Sequence, residues 1–315
     1  MNHFYSVDSV DNLDSLVQRC REIKENPLRN SQLGKNKLLV LLFFNPSLRT
    51  RISTQKAAYN LGMDVIVMNM KEGWKWEMED GAVMNMDTAE HIKEGVRVVS
   101  SYADVIGVRT FPSLENKVDD YEDKVIKAMM KYSTVPVISL ESATLHPLQS
   151  LTDLYTIQEK KNKKDLKIVL SWAPHPRALP QCVSNSFLQW MKAAGHSVTI
   201  CNPQGYNLDP KFADIHTLSH DQEEAFKDAD VIYVKNWSSV DEYGKILTQD
   251  DSWMITEEKL KATNDAILMH CLPVRRNVVI ADNAIDSDHS VVIEQAANRE
   301  VAAQAVLEEI LQKSS

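Results

Sequence analysis

Short apolar runs alternate along this chain with longer segments whose apolar residues recur every three or four positions. Runs at 37–44, 64–68, 104–109 and 135–140 predict strands in the first half, and runs at 167–172, 197–201, 230–234 and 266–270 predict strands in the second. Between them, 48–61, 88–102, 121–132, 148–160 and 181–194 predict helices, with Gly62 and Gly195 just past two of these as helix-ending residues. The alternation describes parallel sheets with crossover helices. The expected fold class is therefore α/β, with two similar-sized α/β domains joined by interdomain helices. The first domain is expected over 1–146, with the alanine- and leucine-rich tail at 291–315 packing back on it as a helix, and the second over 147–290. The segment 69–87 breaks the rhythm: it carries Gly73, Gly81, Trp74, Trp76 and mixed charge with no clear period. Long irregular loops in compact domains are often functional or contact a partner.

A length of 315 residues fits two domains, and 43% hydrophobic with 25% charged residues is ordinary for a soluble globular protein. The net charge of −9 argues against nucleic acid or an acidic membrane as the main partner. An anionic substrate would need a locally basic site on this acidic body, which draws attention to the clustered arginines. Cys20, Cys182, Cys201 and Cys271 form no CxxC pair and no metal-ligand spacing with histidine, so a disulfide framework is not expected and a reducing compartment is. No basic stretch followed by an apolar core opens the chain, and the longest apolar run, 38–44, is too short to span a bilayer. A cytoplasmic protein is expected.

Three strings carry candidate chemistry. In Phe43-Phe44-Asn45-Pro46-Ser47-Leu48-Arg49-Thr50-Arg51 a buried strand ends and a turn leads into a helix that opens with hydroxyl and guanidinium groups. Backbone N–H groups at a helix start attract anions, and Arg49 can grip a phosphate with two parallel hydrogen bonds. Taken alone, Ser47 serves equally as a helix cap. In Leu145-His146-Pro147-Leu148-Gln149, a histidine followed by proline and a glutamine one turn on could aim two donors at a carbonyl oxygen, which stabilises charge developing when an sp² carbon is attacked. In His270-Cys271-Leu272-Pro273 an apolar strand ends where α/β sheets place ligands. A lone Cys271 is otherwise a small core residue.

Read together, these strings resemble the aspartate/ornithine carbamoyltransferase family in order and spacing, as do Arg109 after the third strand and Asn298-Arg299 opening the last helix. The His-Cys-Leu-Pro form is similar to the ornithine branch. The resemblance implies that Ser47, Leu48, Arg49 and Thr50 hold the phosphate of carbamoyl phosphate. It implies that Arg109, His146 and Gln149 surround the carbamoyl group, that Cys271 and Leu272 line the site, and that Arg299 reaches it from the last helix. It further implies a homotrimer with shared active sites, in which Trp74 or Trp76 reaches the adjacent subunit, and no metal or organic cofactor. Glu141 is expected to contact the acylornithine.

One stretch departs from ordinary ornithine enzymes, in which an Asp that pairs with the α-ammonium precedes a tryptophan. Here that position in Val234-Lys235-Asn236-Trp237 is Lys235, and an ammonium cannot favourably face another in a water-poor cleft. Acylation of the α-nitrogen removes the conflict, so the chain resembles the acylornithine transcarbamylases, and Lys235 would pair with a carboxylate. Within that branch His175-Pro176-Arg177 is similar to the succinyl type, since an arginine fork suits a second carboxylate. Ala89, before Glu90-His91, lacks the glutamate of the acetyl type, and Arg275-Arg276-Asn277-Val278-Val279 lacks a lysine that the acetyl type can carry. The expected acylornithine contacts are thus Glu141, His175, Arg177, Lys235, Cys271, Leu272, Arg276 and Ala89, and the expected substrate is N-succinylornithine. N-acetylornithine and ornithine are the alternatives. In the expected sequence carbamoyl phosphate binds first, the acylornithine follows, and the lobes close.

Two rivals share the architecture. A dinucleotide enzyme needs Gly-x-Gly-x-x-Gly after a strand, and no two of the nine glycines are separated by one residue. A non-catalytic two-lobed binding protein explains the charged site but releases no phosphate from carbamoyl phosphate.

Overall fold

In the computed structural model, which describes residues 1–313, the chain forms two compact units. Helix α1 (Leu13–Glu25) comes first, capped by Asn12, whose side chain accepts from the Ser15 N–H; Leu16, Val17, Cys20 and Ile23 make its buried face. Strand β1 (Leu38–Phe43), helix α2 (Arg49–Asn60) and strand β2 (Asp64–Asn69) follow, then two short strands, β3 (Trp76–Glu77) and β4 (Glu90–His91). Helix α3 (Ile92–Tyr102), strand β5 (Val105–Arg109), helices α4 (Lys117–Tyr121) and α5 (Lys124–Tyr132), strand β6 (Val137–Glu141) and helix α6 (Pro147–Lys160) complete the first half.

The sheet of the first unit runs β2-β1-β5-β6 with every pairing parallel. Both faces of β1 and β5 are covered, so these strands are continuous apolar runs rather than alternating ones. Phe4 bridges the free edge of β6: its N–H donates to Val137 O and Ser139 N–H donates to Phe4 O. The helix expected over 121–132 is broken at Asp123, which adopts a left-handed φ of 50° and is buried. Its carboxylate accepts from Tyr5 Oη, Ser142 Oγ, Thr144 Oγ1 and the Ala143 N–H. That network, not local helix propensity, decides the break. Likewise the helix expected from 88 starts at Ile92, because Glu90 and His91 pair with Trp76 and Glu77.

The second unit contains strand β7 (Ile168–Ala173), helix α7 (Cys182–Ala193), strand β8 (Val198–Cys201), helix α8 (Pro210–Ala213), strand β9 (Thr217–Ser219), helix α9 (Gln222–Phe226) and strand β10 (Val231–Asn236). Helix α10 (Glu257–Leu260), strand β11 (Ile267–Met269), helix α11 (Asp282–Ile285) and helix α12 (Val292–Lys313) end the chain. Its five strands run β11-β10-β7-β8-β9, again all parallel. The edge strand β9 is short and largely exposed, and so carries no apolar run by which the sequence could announce it. Unit 1 comprises residues 1–112, 118–148 and 299–313, and unit 2 residues 113–117 and 149–298. Apart from the short excursion of 113–117, the chain changes unit inside α6, after Leu148, and again inside α12, at Arg299. Helix α12 begins at Val292, and its first turns belong to unit 2. No described helix is long and apolar enough to cross a membrane.

Candidate active site

The phosphate string sits where β1 ends and α2 begins. Leu48 occupies the N-cap and makes no side-chain capping bond, so Ser47 does not cap the helix and the first N–H groups of α2 have no side-chain cap. Such a helix start carries partial positive charge. Arg49 is half-buried at the first helical position, and Arg51 turns aside to lie over the Phe43 ring at 4.7 Å. Arg299, buried on α12 within the same unit, donates from Nη2 to Thr50 Oγ1 at 2.6 Å. Arg299 and Thr50, far apart in sequence, thus meet.

Arg109 ends β5 and is held on three sides. Its Nε donates to Glu141 Oε2 at 2.9 Å, its Nη2 lies 2.7 Å from the same oxygen, and Nη1 donates to the Pro46 carbonyl at 2.8 Å. His146 Nε2 lies 3.6 Å from that Glu141 oxygen. All three side chains are buried. A register shift between Val108 and Arg109 puts Arg109 opposite Glu141, and this irregularity brings cation and carboxylate side by side at the strand ends. Glu141 is thereby grouped with Arg109 and His146 in unit 1, not with the other expected acylornithine contacts of unit 2.

In unit 2, Lys235 is the fifth residue of β10, paired with Trp172 of β7 and buried. Its Nζ donates to Cys271 Sγ at 3.2 Å. A lysine buried in a central strand is not the solvated surface residue that its place at a strand end would otherwise suggest. His175 lies close by: burial, then the positive charges of Arg275, Lys235 and Arg177, hold its pKa below the ordinary histidine range. The neutral ring accepts from Arg275 Nε through Nε2 at 3.2 Å. Its Nδ1 lies 2.8 Å from the Arg177 carbonyl oxygen and 3.1 Å from the Arg177 amide nitrogen. Lys235, Arg177 and Arg275 thus form a cationic cluster around a neutral imidazole, on a protein with net charge −9.

Arg276 is directed elsewhere. Its guanidinium grips Asp286 through Nη1 and Nη2, each at 2.6 Å, and Asp282 through Nη1 at 3.0 Å. Arg275, one residue earlier, instead turns to His175, and the sequence displays the two arginines without distinguishing them. The turn after β11 is also pinned. His270 N–H donates to Gln295 Oε1 at 3.0 Å and Leu272 N–H to His270 Nδ1 at 2.9 Å, with Leu272 at φ 53° before a cis peptide to Pro273. Gln149 gives an Nε2 hydrogen bond to Asp153 Oδ1 at 2.7 Å.

The two tryptophans separate clearly. Trp76 packs edge-on against Phe44 and fills the space over Gly95, whereas Trp74 is 65% exposed, its Nε1 donating to Glu90 Oε2 at 2.8 Å. Ala89 is exposed beside it, its N–H donating to the Lys75 carbonyl at 3.0 Å.

This distribution of anion-binding and cationic groups coincides with two family models. Residues 2–159 match the aspartate/ornithine carbamoyltransferase carbamoyl-P binding domain, and residues 180–310 match the Asp/Orn binding domain. The chain belongs to the aspartate/ornithine carbamoyltransferase family. Among members of that family it is 47% identical over 315 residues to N-succinylornithine carbamoyltransferase of Bacteroides fragilis, covering 99% of each chain. It is 37% identical over 323 residues to N-acetylornithine carbamoyltransferase of Xylella fastidiosa, covering 95% of each. Among solved structures it is similar to a glutamate-to-alanine mutant of N-acetyl-L-ornithine transcarbamylase complexed with carbamyl phosphate and N-succinyl-L-norvaline. That match has a TM-score of 0.92 and 36% identity, and covers 98% of this chain and 100% of the other. The carbamoyltransferase fold and its two domain types are thus common to all of them.

Proposed function

We propose that this carbamoyltransferase moves the carbamoyl group of carbamoyl phosphate to the δ-amine of N-succinyl-L-ornithine, giving N-succinyl-L-citrulline and phosphate, as a step of arginine biosynthesis. The observation that carries the substrate choice is the cationic cluster of Lys235, Arg177 and Arg275 around neutral His175. N-succinylornithine brings two carboxylates and no α-ammonium, so it matches this cluster, whereas free ornithine would set an ammonium against Lys235. The succinyl name of the 47%-identical relative agrees with this reading. So does the neighbouring structure, in which an acetyl-type enzyme lacking one glutamate holds a succinyl ligand.

In the proposed reaction the α2 start, with Ser47, Leu48, Arg49 and Thr50, binds the phosphate, and Arg299 holds Thr50 and the phosphate from α12. Arg109 and His146, oriented by Glu141, donate to the carbamoyl oxygen as negative charge develops on it. Glu141 also attracts the incoming δ-amine. Gln149 and the carbonyls of Cys271 and Leu272 accept from the carbamoyl NH2. The neutral δ-amine forms the new C–N bond, the C–O bond to phosphate breaks, and the departing phosphate takes the amine proton. Lys235 and Arg275 pair with the α-carboxylate, and His175 and Arg177 with the succinyl end.

Trp74 and Ala89 are proposed to act on the site of a neighbouring subunit in a homotrimer. Supporting this, the exposed Trp74 lines an apolar groove of about 440 Å3 together with Ile66, Met68, Val98 and Tyr102. An apolar surface of this kind is commonly an association surface. The deciding test supplies carbamoyl phosphate with ornithine, N-acetylornithine or N-succinylornithine in parallel and follows phosphate release. Preference for N-succinylornithine supports the proposal; no release with any of them sinks it.

A further inference from the structure

We propose that Asp153 is a positioning residue for the transfer: one buried carboxylate oxygen sets the amide polarity of Gln149 and, through Gln295, the peptide planes of the His270–Leu272 turn. The inference rests on the reading above, in which Gln149 and that turn meet the carbamoyl NH2. Asp153 lies one helical turn beyond Gln149 on α6, where residues four apart share a face. Its Oδ1 receives two amides, Gln149 Nε2 at 2.7 Å and Gln295 Nε2 at 2.7 Å. Gln149 and Gln295 are each 1% exposed and Asp153 is fully buried.

A carboxylate oxygen only accepts, so both glutamines must turn their NH2 groups toward it. Gln149 is left with its oxygen directed away from Asp153, and an oxygen is the atom that suits a donating carbamoyl NH2. Gln295, oriented the same way, presents Oε1 to the His270 N–H at 3.0 Å. The Leu272 N–H, held by His270 Nδ1 at 2.9 Å, shares a rigid peptide plane with the Cys271 carbonyl. That hydrogen bond therefore fixes where the Cys271 oxygen points. One carboxylate thus aligns acceptors from two elements, α6 and the turn after β11, without itself touching substrate.

Asp153→Asn keeps the shape but allows one amide to be wrongly flipped. It should lower kcat roughly 10- to 100-fold, the loss expected when reacting groups are misplaced by about 1 Å. Competitive inhibition by inorganic phosphate, which needs only the α2 start, should stay as in the wild type. Added to Gln149→Ala, the same change should lower kcat less than it does alone. Wild-type kcat in a folded Asp153→Asn protein overturns the inference, as does phosphate inhibition that weakens in step with kcat, since that marks general disruption. Should Asp153→Asn fail to fold, Gln295→Met decides: it keeps the carboxylate and Gln149, and kcat should still fall with phosphate inhibition unchanged, whereas wild-type kcat overturns the inference. Wild-type enzyme that fails to carbamoylate N-succinylornithine would instead refute the substrate reading and leave Asp153 to be judged with the true acceptor.

Discussion

At the residue scale the charges are arranged against solvent, not with it. Lys235 is buried in a central strand beside Cys271, and His175 is kept neutral by burial and by Arg275, Lys235 and Arg177. Its depressed pKa has a definite sign. The folded protein prefers the neutral ring, so His175 contributes its full stability above the ordinary value of about 6.5, and loses it as pH falls through and below that value. An NMR titration of His175 should therefore give a pKa below 6.5 that rises in Arg275→Ala, and rises again when a dicarboxylate substrate binds; a pKa unmoved by either change removes Arg275 from the cluster. Arg49→Ala should lose about 1.5–3 kcal/mol of carbamoyl phosphate binding, as for a charge-assisted hydrogen bond, and more in turnover. Calorimetry on a folded variant checks this, and unchanged affinity would move the phosphate elsewhere.

At the element scale, most of the sheet was legible because parallel strands covered on both faces are unbroken apolar runs. The eight runs read from the sequence all lie on strands of the structure. What escaped was decided by tertiary contacts. The edge strand β9 has no run to read. Asp123 breaks a helical segment because four donors from other elements need its carboxylate. In the site, Arg275 and Arg276 were indistinguishable until Asp282 and Asp286 claimed the second. Trp74 and Trp76 were separated only when Trp76 was found over Gly95, where an added Cβ would lie 2.7 Å from its ring. Gly95→Ala should therefore displace Trp76 and destabilise unit 1 by about 1–3 kcal/mol, as overpacking does. Unchanged thermal stability with unchanged Trp fluorescence would show that this loop is not anchored there.

At the scale of the whole molecule, the proposal places carbamoyl phosphate on unit 1 and the acylornithine on unit 2, and gives the segment bearing Trp74 and Ala89 to a neighbour in a trimer. Mixed trimers of Trp74→Ala and Arg49→Ala subunits should regain part of the activity that each homotrimer lacks, because some sites would then combine intact contributions; no recovery in verified mixed trimers would place each site within one chain. Ala89→Glu should lower the preference for a succinyl over an acetyl tail by adding a like charge, an effect screened over about 8 Å wherever water reaches it. The most direct test of the central claim is the ratio of kcat/KM for N-succinylornithine to that for N-acetylornithine in the wild-type enzyme. A ratio well above one is predicted, with free ornithine far below both. A ratio below one would contradict the assignment of Lys235, Arg275, His175 and Arg177 to a dicarboxylate.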